Sequence, residues 1–256
     1  MLGLRNLYRV FNESRATARK HSTLAVVGSL PEATKLADLL DAGRDAAVEA
    51  EVLLTVTGAS NGGIEIVVSG KAIEEPKTVS LSAVTEKVIL EELAPGVVGA
   101  LEEDYLVSLG RGYPVLRRAV CEEIIHKNAR QNAVVGALPI PGADMPAIMA
   151  NQGRMVLGIA AVYGEEISFE RARELTGVLA AGFGLRALAR QVVKLVPVGG
   201  WAASAAIGYA GTLAMGRATI LYFERGKKEV GPGERAEILH RASEEAKVFV
   251  SRIRRR

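Results

Sequence analysis

The chain has 256 residues, of which 49% are hydrophobic and 24% are charged. This composition is that of a folded protein with one large or two modest domains, and it excludes an intrinsically disordered chain. A single cysteine, Cys121, excludes an internal disulfide framework and suits a reducing cytoplasm. The histidines His21, His126 and His240 lie far apart, so no zinc-binding spacing is present and no metal is predicted.

The net charge of +3 is unevenly distributed along the chain. Residues 1–20 and residues 224–256 each carry a net charge of +4, which leaves −5 for residues 21–223. Two basic ends around a mildly acidic body indicate an anionic partner. We expect a membrane surface or anionic lipid rather than nucleic acid, because no aromatic stacking platform accompanies the basic residues. Ordinary solvated helix faces are the alternative explanation.

The first part of the chain is predicted to contain a helix and a small α/β domain. Residues 1–21 form a basic amphipathic helix that could bind a membrane surface or pack onto its own domain. Residues 22–95 form the α/β domain, in which a helix opens at Pro31 and a later helix over residues 84–93 ends before Pro95 and Gly96. Its three or four strands are expected at Thr23–Gly28, Glu51–Gly58, Ile64–Ser69 and Lys77–Leu81.

Strand signals end near residue 96, and residues 96–226 are predicted to form an all-α, glycine- and alanine-rich domain. Pro114 opens its first helix, and Asp144 caps a second helix that ends at Gly164. Two further helices are expected from Ser168 to about Val196 and from about Val198 to Arg225. A charged helix follows within residues 227–256. The predicted fold class is therefore α+β.

The most distinctive segment is the run of 22 uncharged residues from Leu195 to Gly216. Small residues recur at every fourth position of this run, so a helix here has a ridge that another helix can approach backbone to backbone. The ridge consists of Gly200, Ser204, Gly208, Thr212 and Gly216. The preceding helix has a shorter series at Thr176, Ala180 and Gly184, which makes the two helices candidate partners.

The length of this run would let it cross a bilayer, which needs about 20 apolar residues. Its small residues contribute little transfer energy, however, and a single crossing would place two equally basic ends on opposite sides of the membrane. Three alternatives stay open at this point. The segment is a spanning helix, a shallow or hairpin membrane association, or a buried helix of a soluble protein.

The strand that ends at Gly28 and the helix that follows it occupy the position of a phosphate-binding loop. Such a loop requires glycine, lysine and serine or threonine at positions 33 to 35. The chain instead has Ala33, Thr34 and Lys35, and it contains no D-x-x-G or N-K-x-D motif. We therefore expect no catalytic residues, no cofactor and no small-molecule substrate.

Residues 115–225 resemble a known bacterial family. The features that carry the resemblance are Pro139-Ile140-Pro141-Gly142-Ala143-Asp144, Asn151-Gln152, Arg154-Met155, Tyr163-Gly164, Phe183-Gly184, Arg186, Val196-Pro197 and Gly200-Trp201-Ala202. They are similar to domain of unknown function 697, which is often found C-terminal to Era-like small GTPase domains. The resemblance implies a helical domain associated with membranes or with a GTPase.

The resemblance also bears on the residues outside the helical domain. Residues 22–95 lie where a GTPase domain is often found in that family, and the missing nucleotide motifs make them a degenerate, GTPase-like region. Within the helical domain, Asp144 is interpreted as a helix cap, with pairing to Arg154 as the alternative. Asn151 and Gln152 lie in a mostly apolar helix and are expected to hydrogen-bond another helix.

These observations predict a non-catalytic, membrane-associated interaction or regulatory protein of the cytoplasm, attached to the inner face of the cell membrane. Its expected partners are an anionic lipid surface and either another protein or a second copy of the chain. A soluble helical adaptor or homo-oligomer is one alternative, and an atypical GTP-binding switch is another.

Overall fold

The computed structural model describes residues 22–43, 50–59, 63–137, 145–165 and 201–254. A small sheet comes first and helices follow it. In chain order the elements are β1 (Leu24–Val27), α1 (Pro31–Leu40), β2 (Val52–Gly58), β3 (Ile64–Ser69), β4 (Lys77–Leu81), α2 (Glu86–Val88), a π-helical turn (Ile89–Leu93), α3 (Ala94–Val98), α4 (Glu103–Gly112), α5 (Arg117–Ala137), α6 (Met145–Val162), α7 (Trp201–Glu224) and α8 (Pro232–Arg254). This order confirms the predicted α+β fold class. The predicted helix over residues 1–21 lies outside the described residues.

The chain divides into two compact units. The N-terminal unit comprises the described residues up to 123 together with residues 162–164, and the helical unit comprises the described residues within 124–161 and from 165 onward. The division falls inside α5, later in the chain than the change from strand to helix signals near residue 96. The reason is that the segment before α4 hydrogen-bonds to the connection between β3 and β4, where Glu102 N donates to Ala72 O at 2.9 Å.

The N-terminal unit is built on a four-stranded sheet with the order β1-β2-β3-β4. β1 pairs in parallel with β2, whereas the β2–β3 and β3–β4 pairs are antiparallel. Alternate residues of β2, namely Val52, Leu54 and Val56, are buried, as the two-residue period of a half-buried strand requires. The four predicted strands are confirmed, and their ends differ from the prediction by one residue at most.

The helical stretch after the sheet continues through Pro95, so the predicted stop before that residue is wrong. Proline lacks the N–H that a helix interior normally uses, but a π-helical turn comes directly before it. In that turn the Ala94 N–H donates to the carbonyl of Ile89, five residues earlier. A Cβ atom added at Gly96 would lie 2.6 Å from Val79 Cγ2, so glycine at this position lets the helix lie against β4.

Gly28, the residue that suggested a phosphate-binding loop, is explained by the packing of the sheet. Its φ is +154°, a conformation that side-chain-bearing residues rarely adopt. A Cβ atom added there would lie 2.7 Å from the carbonyl oxygen of Val56 in β2. The described sheet also advances from β1 to β4 without reversing its order, and open α/β sheets bind nucleotides where the order reverses.

Alanine is the most frequent buried residue among the described residues of the helical unit, and its small side chain allows helices to lie close together. Helix α8 lies along α7. Helices α6 and α7 end at left-handed glycines, Gly164 with φ +83° and Gly226 with φ +67°, as the sequence predicted. The buried alanines of this unit are Ala129, Ala133, Ala160, Ala161, Ala202, Ala205, Ala206, Ala210, Ala214, Ala218, Ala242 and Ala246.

Replacing Gly28 with alanine tests whether the packing of the sheet requires glycine at this position. We expect Gly28→Ala to lower the free energy of unfolding by about 1–3 kcal/mol, because the added Cβ is strained by φ and crowds the Val56 carbonyl. Urea denaturation measures the change. Gly43→Ala is the matched control, because a Cβ there meets no atom within 4 Å. Equal unfolding energies for the two variants would contradict the explanation.

Candidate interaction site in the helical unit

The small-residue ridge of α7 lies against α5. A Cβ atom added at Gly208 would lie 2.7 Å from the carbonyl oxygen of Asn132, and one added at Gly216 would overlap the side chain of Ile125. The contact is reciprocal, since a Cβ added at Gly136 of α5 would lie 3.0 Å from the carbonyl oxygen of Ser204. The contacts advance along α5 as they retreat along α7, so the two helices are antiparallel and meet through their backbones.

Polar side chains cross this contact at its centre. We name the side chains of Asn128, Asn132, Asn151 and Thr212 the polar seam. Asn132 and Thr212 are fully buried, and Asn132 Nδ2 donates to Thr212 Oγ1 at 2.8 Å. Thr212 Oγ1 in turn donates to the carbonyl of Gly208 at 2.8 Å within its own helix. One hydroxyl therefore joins α5 to the glycine that gives α7 its close approach.

Helix α6 joins the same polar seam through Asn151. Its Nδ2 donates to Asn132 Oδ1 at 2.9 Å and to the carbonyl oxygen of Asn128 at 3.3 Å. Asn128 Nδ2 donates to the carbonyl of Ile124 at 2.7 Å, which fixes the amide so that its Oδ1 is buried without a hydrogen-bond partner among the described residues. Three helices are thus held by neutral amide and hydroxyl groups, which are costly to bury unless they are paired.

The neighbouring face of α7, which carries Tyr209 and Arg217, contacts α8. Arg217 makes a two-pronged ion pair with Glu245, with Nη1–Oε1 at 2.6 Å and Nη2–Oε2 at 3.2 Å. Tyr209 stacks on Phe249, with ring centroids 4.2 Å apart and ring planes at 9°. Burial, followed by the nearby Glu245 carboxylate, raises the pKa of Tyr209 above its ordinary value. Tyr209 therefore stays a neutral phenol, and its hydroxyl lies 3.4 Å from Nδ1 of His126 on α5.

The structure brings part of the predicted residue set together. Gly208, Thr212 and Gly216 meet α5, whereas the side chain of Ser204 is exposed and only its carbonyl takes part. Asn151 bonds to α5, and Gln152 and Arg154 are half-buried on α6. The other predicted residues lie outside the described parts of the chain, namely Gly200, Thr176, Ala180, Gly184, Pro139, Pro141, Gly142 and Asp144.

The contribution of α5 was not predicted from the sequence. Asn128, Asn132 and Gly136 recur at every fourth position of that helix, which is the same spacing as the ridge on α7. A search for two complementary stripes, one with small residues and one with amides, would have found this pair. The partner suggested for the ridge was instead the helix carrying Thr176, Ala180 and Gly184.

A serine motif was also missed. Residues 58–62 read Gly-Ala-Ser-Asn-Gly and match G-x-S-x-G, the motif that places a nucleophilic serine on a strand-to-helix turn. Here the motif follows β2 and leads into β3, and these two strands pair antiparallel from Gly58↔Ile64 onward. The motif therefore falls between two paired strands and not between a strand and a helix, which is the context that the motif needs.

Two features are absent from the described ranges, namely a metal-binding cluster and a helix able to cross a bilayer. No group of three or more His, Cys, Asp and Glu side chains in them is arranged to hold a metal ion. No helix in them combines the length and the mean hydropathy that crossing a bilayer requires.

Gly208→Ala tests the close contact between α5 and α7. We expect it to lower the free energy of unfolding by about 1–3 kcal/mol, because the added Cβ meets backbone that cannot yield easily. Thermal or urea denaturation of the full chain measures the loss. In α6, Gly153→Ala is the control, since its Cβ meets nothing within 4 Å and alanine favours helix by about 0.5–1 kcal/mol. A stabilised Gly208→Ala protein would rule out the contact.

Thr212→Val tests the polar seam. Valine matches threonine in shape but cannot accept from Asn132, so a buried amide N–H loses its partner and stability should fall by about 1–3 kcal/mol. Thr219→Val is the control, because the equally buried Thr219 hydroxyl donates only to Met215 of its own helix. We expect the control to cost about 1 kcal/mol or less. Equal losses in the two variants would show that the bond between helices contributes nothing.

Comparison with known proteins identifies a family for the part of the chain that contains α5 to α7 and most of α8. The model of the family described as Domain of unknown function (DUF697) matches residues 114–247, which begin just before α5 and end within α8. Neither curated proteins nor solved structures give a significant match. The GTPase-like interpretation of residues 22–95, which lie outside the match, stays a prediction. The match covers more than half of the chain, and the chain therefore belongs to the family defined by domain of unknown function 697.

Proposed function

We propose that this protein is a non-catalytic, membrane-associated interaction protein whose helical unit is a scaffold. In this proposal it is located in the cytoplasm, at the inner face of the cell membrane. The observation that carries the proposal is the distribution of charge, since residues 1–20 and 224–256 each have a net charge of +4 around a body of −5. Basic segments are attracted to anionic leaflets by about 1 kcal/mol per lysine or arginine near the surface.

The interior of the helical unit supports a scaffold role. The polar seam uses its amides and hydroxyl to join α5, α6 and α7, and the Arg217–Glu245 pair joins α7 to α8. Groups that are engaged in holding helices together give rigidity and a single packing arrangement. A rigid unit of this kind suits a protein that presents surfaces to partners.

The N-terminal unit is proposed to be a degenerate nucleotide-binding domain that does not act as a GTP switch. A phosphate-binding loop needs glycine for close approach to phosphate. Gly28 instead approaches the backbone of β2, and Ala33, Thr34 and Lys35 replace the residues that would cradle a phosphate. These features favour a structural or partner-binding role for the sheet.

A second candidate function is that of an adaptor that binds another protein or a second copy of itself without lipid. The side chain of Val134 favours it, because this valine on α5 is 65% exposed. Exposed aliphatic side chains of this kind contribute to protein interfaces when they are part of a larger patch. The membrane proposal ranks first because the positive charge of residues 1–20 and 224–256 would be attracted to an anionic lipid surface.

Flotation of the full chain with vesicles tests the proposed function. We expect the protein to float with vesicles that contain phosphatidylserine and to stay at the bottom with pure phosphatidylcholine, because attraction to the surface is electrostatic. Raising the salt concentration should reduce the floated fraction, since screening shortens the range of the field to about 3 Å at 1 M. The measurement is the floated fraction by gel.

The controls separate the two candidate functions. Absence from the lipid fraction at both low and high salt would contradict membrane association. In that case a discrete dimer or larger mass by light scattering without detergent would favour the adaptor. Flotation with neutral and anionic vesicles alike would show that apolar insertion, rather than charge, drives the association.

A further inference from the structure

We propose that the C-terminal end of α8 is the element that binds anionic phospholipid headgroups. This inference rests on the proposed function and names the surface responsible for it. We define the basic tip as residues 248–256, whose charged residues are Arg252, Arg254, Arg255 and Arg256.

The carboxylates of α8 are paired before the basic tip begins. Glu245 pairs with Arg217, and Glu237 pairs with Arg241. Glu244 pairs with Lys247, and Glu234 pairs with Arg225. Residues 246–256 contain no Asp or Glu, so the charges of the four arginines add within the basic tip.

The basic tip also exposes apolar surface. Val248 is 50% exposed and Ile253 is 42% exposed, which are high values for large aliphatic residues. Val248 and Arg252 are four residues apart and so share one face of the helix. Aliphatic side chains beside arginine are the pattern of helices that lie at the boundary between headgroups and acyl chains.

The other face of α8 is already occupied, which leaves the basic tip as the available part. Leu239, Ala242, Ser243, Ala246 and Val250 are buried, and Phe249 stacks on Tyr209 of α7. The helix is therefore held to the scaffold by one face while its end carries exposed arginine and isoleucine. A membrane-contacting element needs this combination of a fixed base and an accessible tip.

Arginine at the end of a helix also has a local role, because it interacts favourably with the partial negative charge of the helix terminus. That partial charge is only about half an elementary charge. Four arginines within five residues provide far more positive charge than the terminus can use. The excess is complementary to an anionic surface.

A lipid surface fits the basic tip better than a nucleic acid does. Single-stranded nucleic acids are bound by aromatic side chains that stack on bases, in addition to charge. The one aromatic residue of the basic tip, Phe249, is stacked on Tyr209, and the exposed apolar residues of the basic tip are Val248 and Ile253. Aliphatic surface has a favourable environment in the acyl region of a membrane.

The test compares full-length variants by flotation with vesicles of phosphatidylcholine and phosphatidylserine. The first variant carries Arg252→Gln, Arg254→Gln, Arg255→Gln and Arg256→Gln together. We expect its partition constant to fall at least about tenfold. The control replaces the same number of exposed cations in the N-terminal unit, by Lys35→Gln, Lys71→Gln, Lys77→Gln and Lys87→Gln. This control should bind within about twofold of the unaltered chain if the position of the charge decides binding.

Two smaller sets of substitutions keep the inference testable if the four-arginine variant does not fold. Arg254→Gln, Arg255→Gln and Arg256→Gln without the Arg252 change should give an intermediate loss, and Ile253→Ser should lower binding that remains at high salt. Circular dichroism and the thermal midpoint check that each variant keeps its fold. A folded four-arginine variant that floats as well as the unaltered chain would overturn the inference.

The outcomes distinguish this inference from the proposed function. If the unaltered chain does not float with anionic vesicles, the proposed function fails and the inference fails with it. If the unaltered chain floats and binding is lost only when Arg5, Arg9, Arg15, Arg19 and Lys20 are replaced by glutamine, the function stands and the basic tip is excluded. If the four-arginine variant loses binding to duplex DNA or RNA but floats with anionic vesicles as well as the unaltered chain does, the basic tip is a nucleic-acid surface and the inference is wrong.

Discussion

The close approach of α5 and α7 is the constraint on which the helical unit depends. Gly208 brings the backbone of α7 against the carbonyl of Asn132, and at that distance Asn132 reaches Thr212 at 2.8 Å. A larger residue at 208 would separate the helices and break that bond as well. Asn151 of α6 bonds to the same asparagine, so the position of a third helix follows from the first contact.

The two units use glycine for related physical purposes. At Gly28 and Gly96 the absence of a side chain lets one element of the N-terminal unit approach another, and at Gly208 and Gly216 it lets two helices meet. In each case the neighbour is a backbone carbonyl or a branched aliphatic side chain, which yields little. Close packing therefore accounts for these four glycines, two in each unit.

The sequence predicted the elements better than it predicted their partners. The strands and the helices that begin at Pro31 and end at Gly164 and Gly226 follow from local signals, namely period, proline and left-handed glycine. The helix at residues 84–93 was predicted to end too early, because Pro95 usually breaks a helix and the π-helical turn that accommodates it has no recognised local signature. The sequence showed the four-residue spacing of the ridge, but this spacing does not indicate which helix packs against the ridge.

The sequence by itself determined the family, the α+β class, the ridge on α7 and the charge at both ends, since each is a property of composition or of spacing along the chain. Only the tertiary structure decided that the ridge faces α5 and that Asn128, Asn132 and Asn151 converge on Thr212. It also decided which basic side chain pairs with each of Glu237, Glu244 and Glu245 of α8. The bond between Asn132 and Thr212 joins residues 80 positions apart, and local patterns carry no information about which distant residues meet.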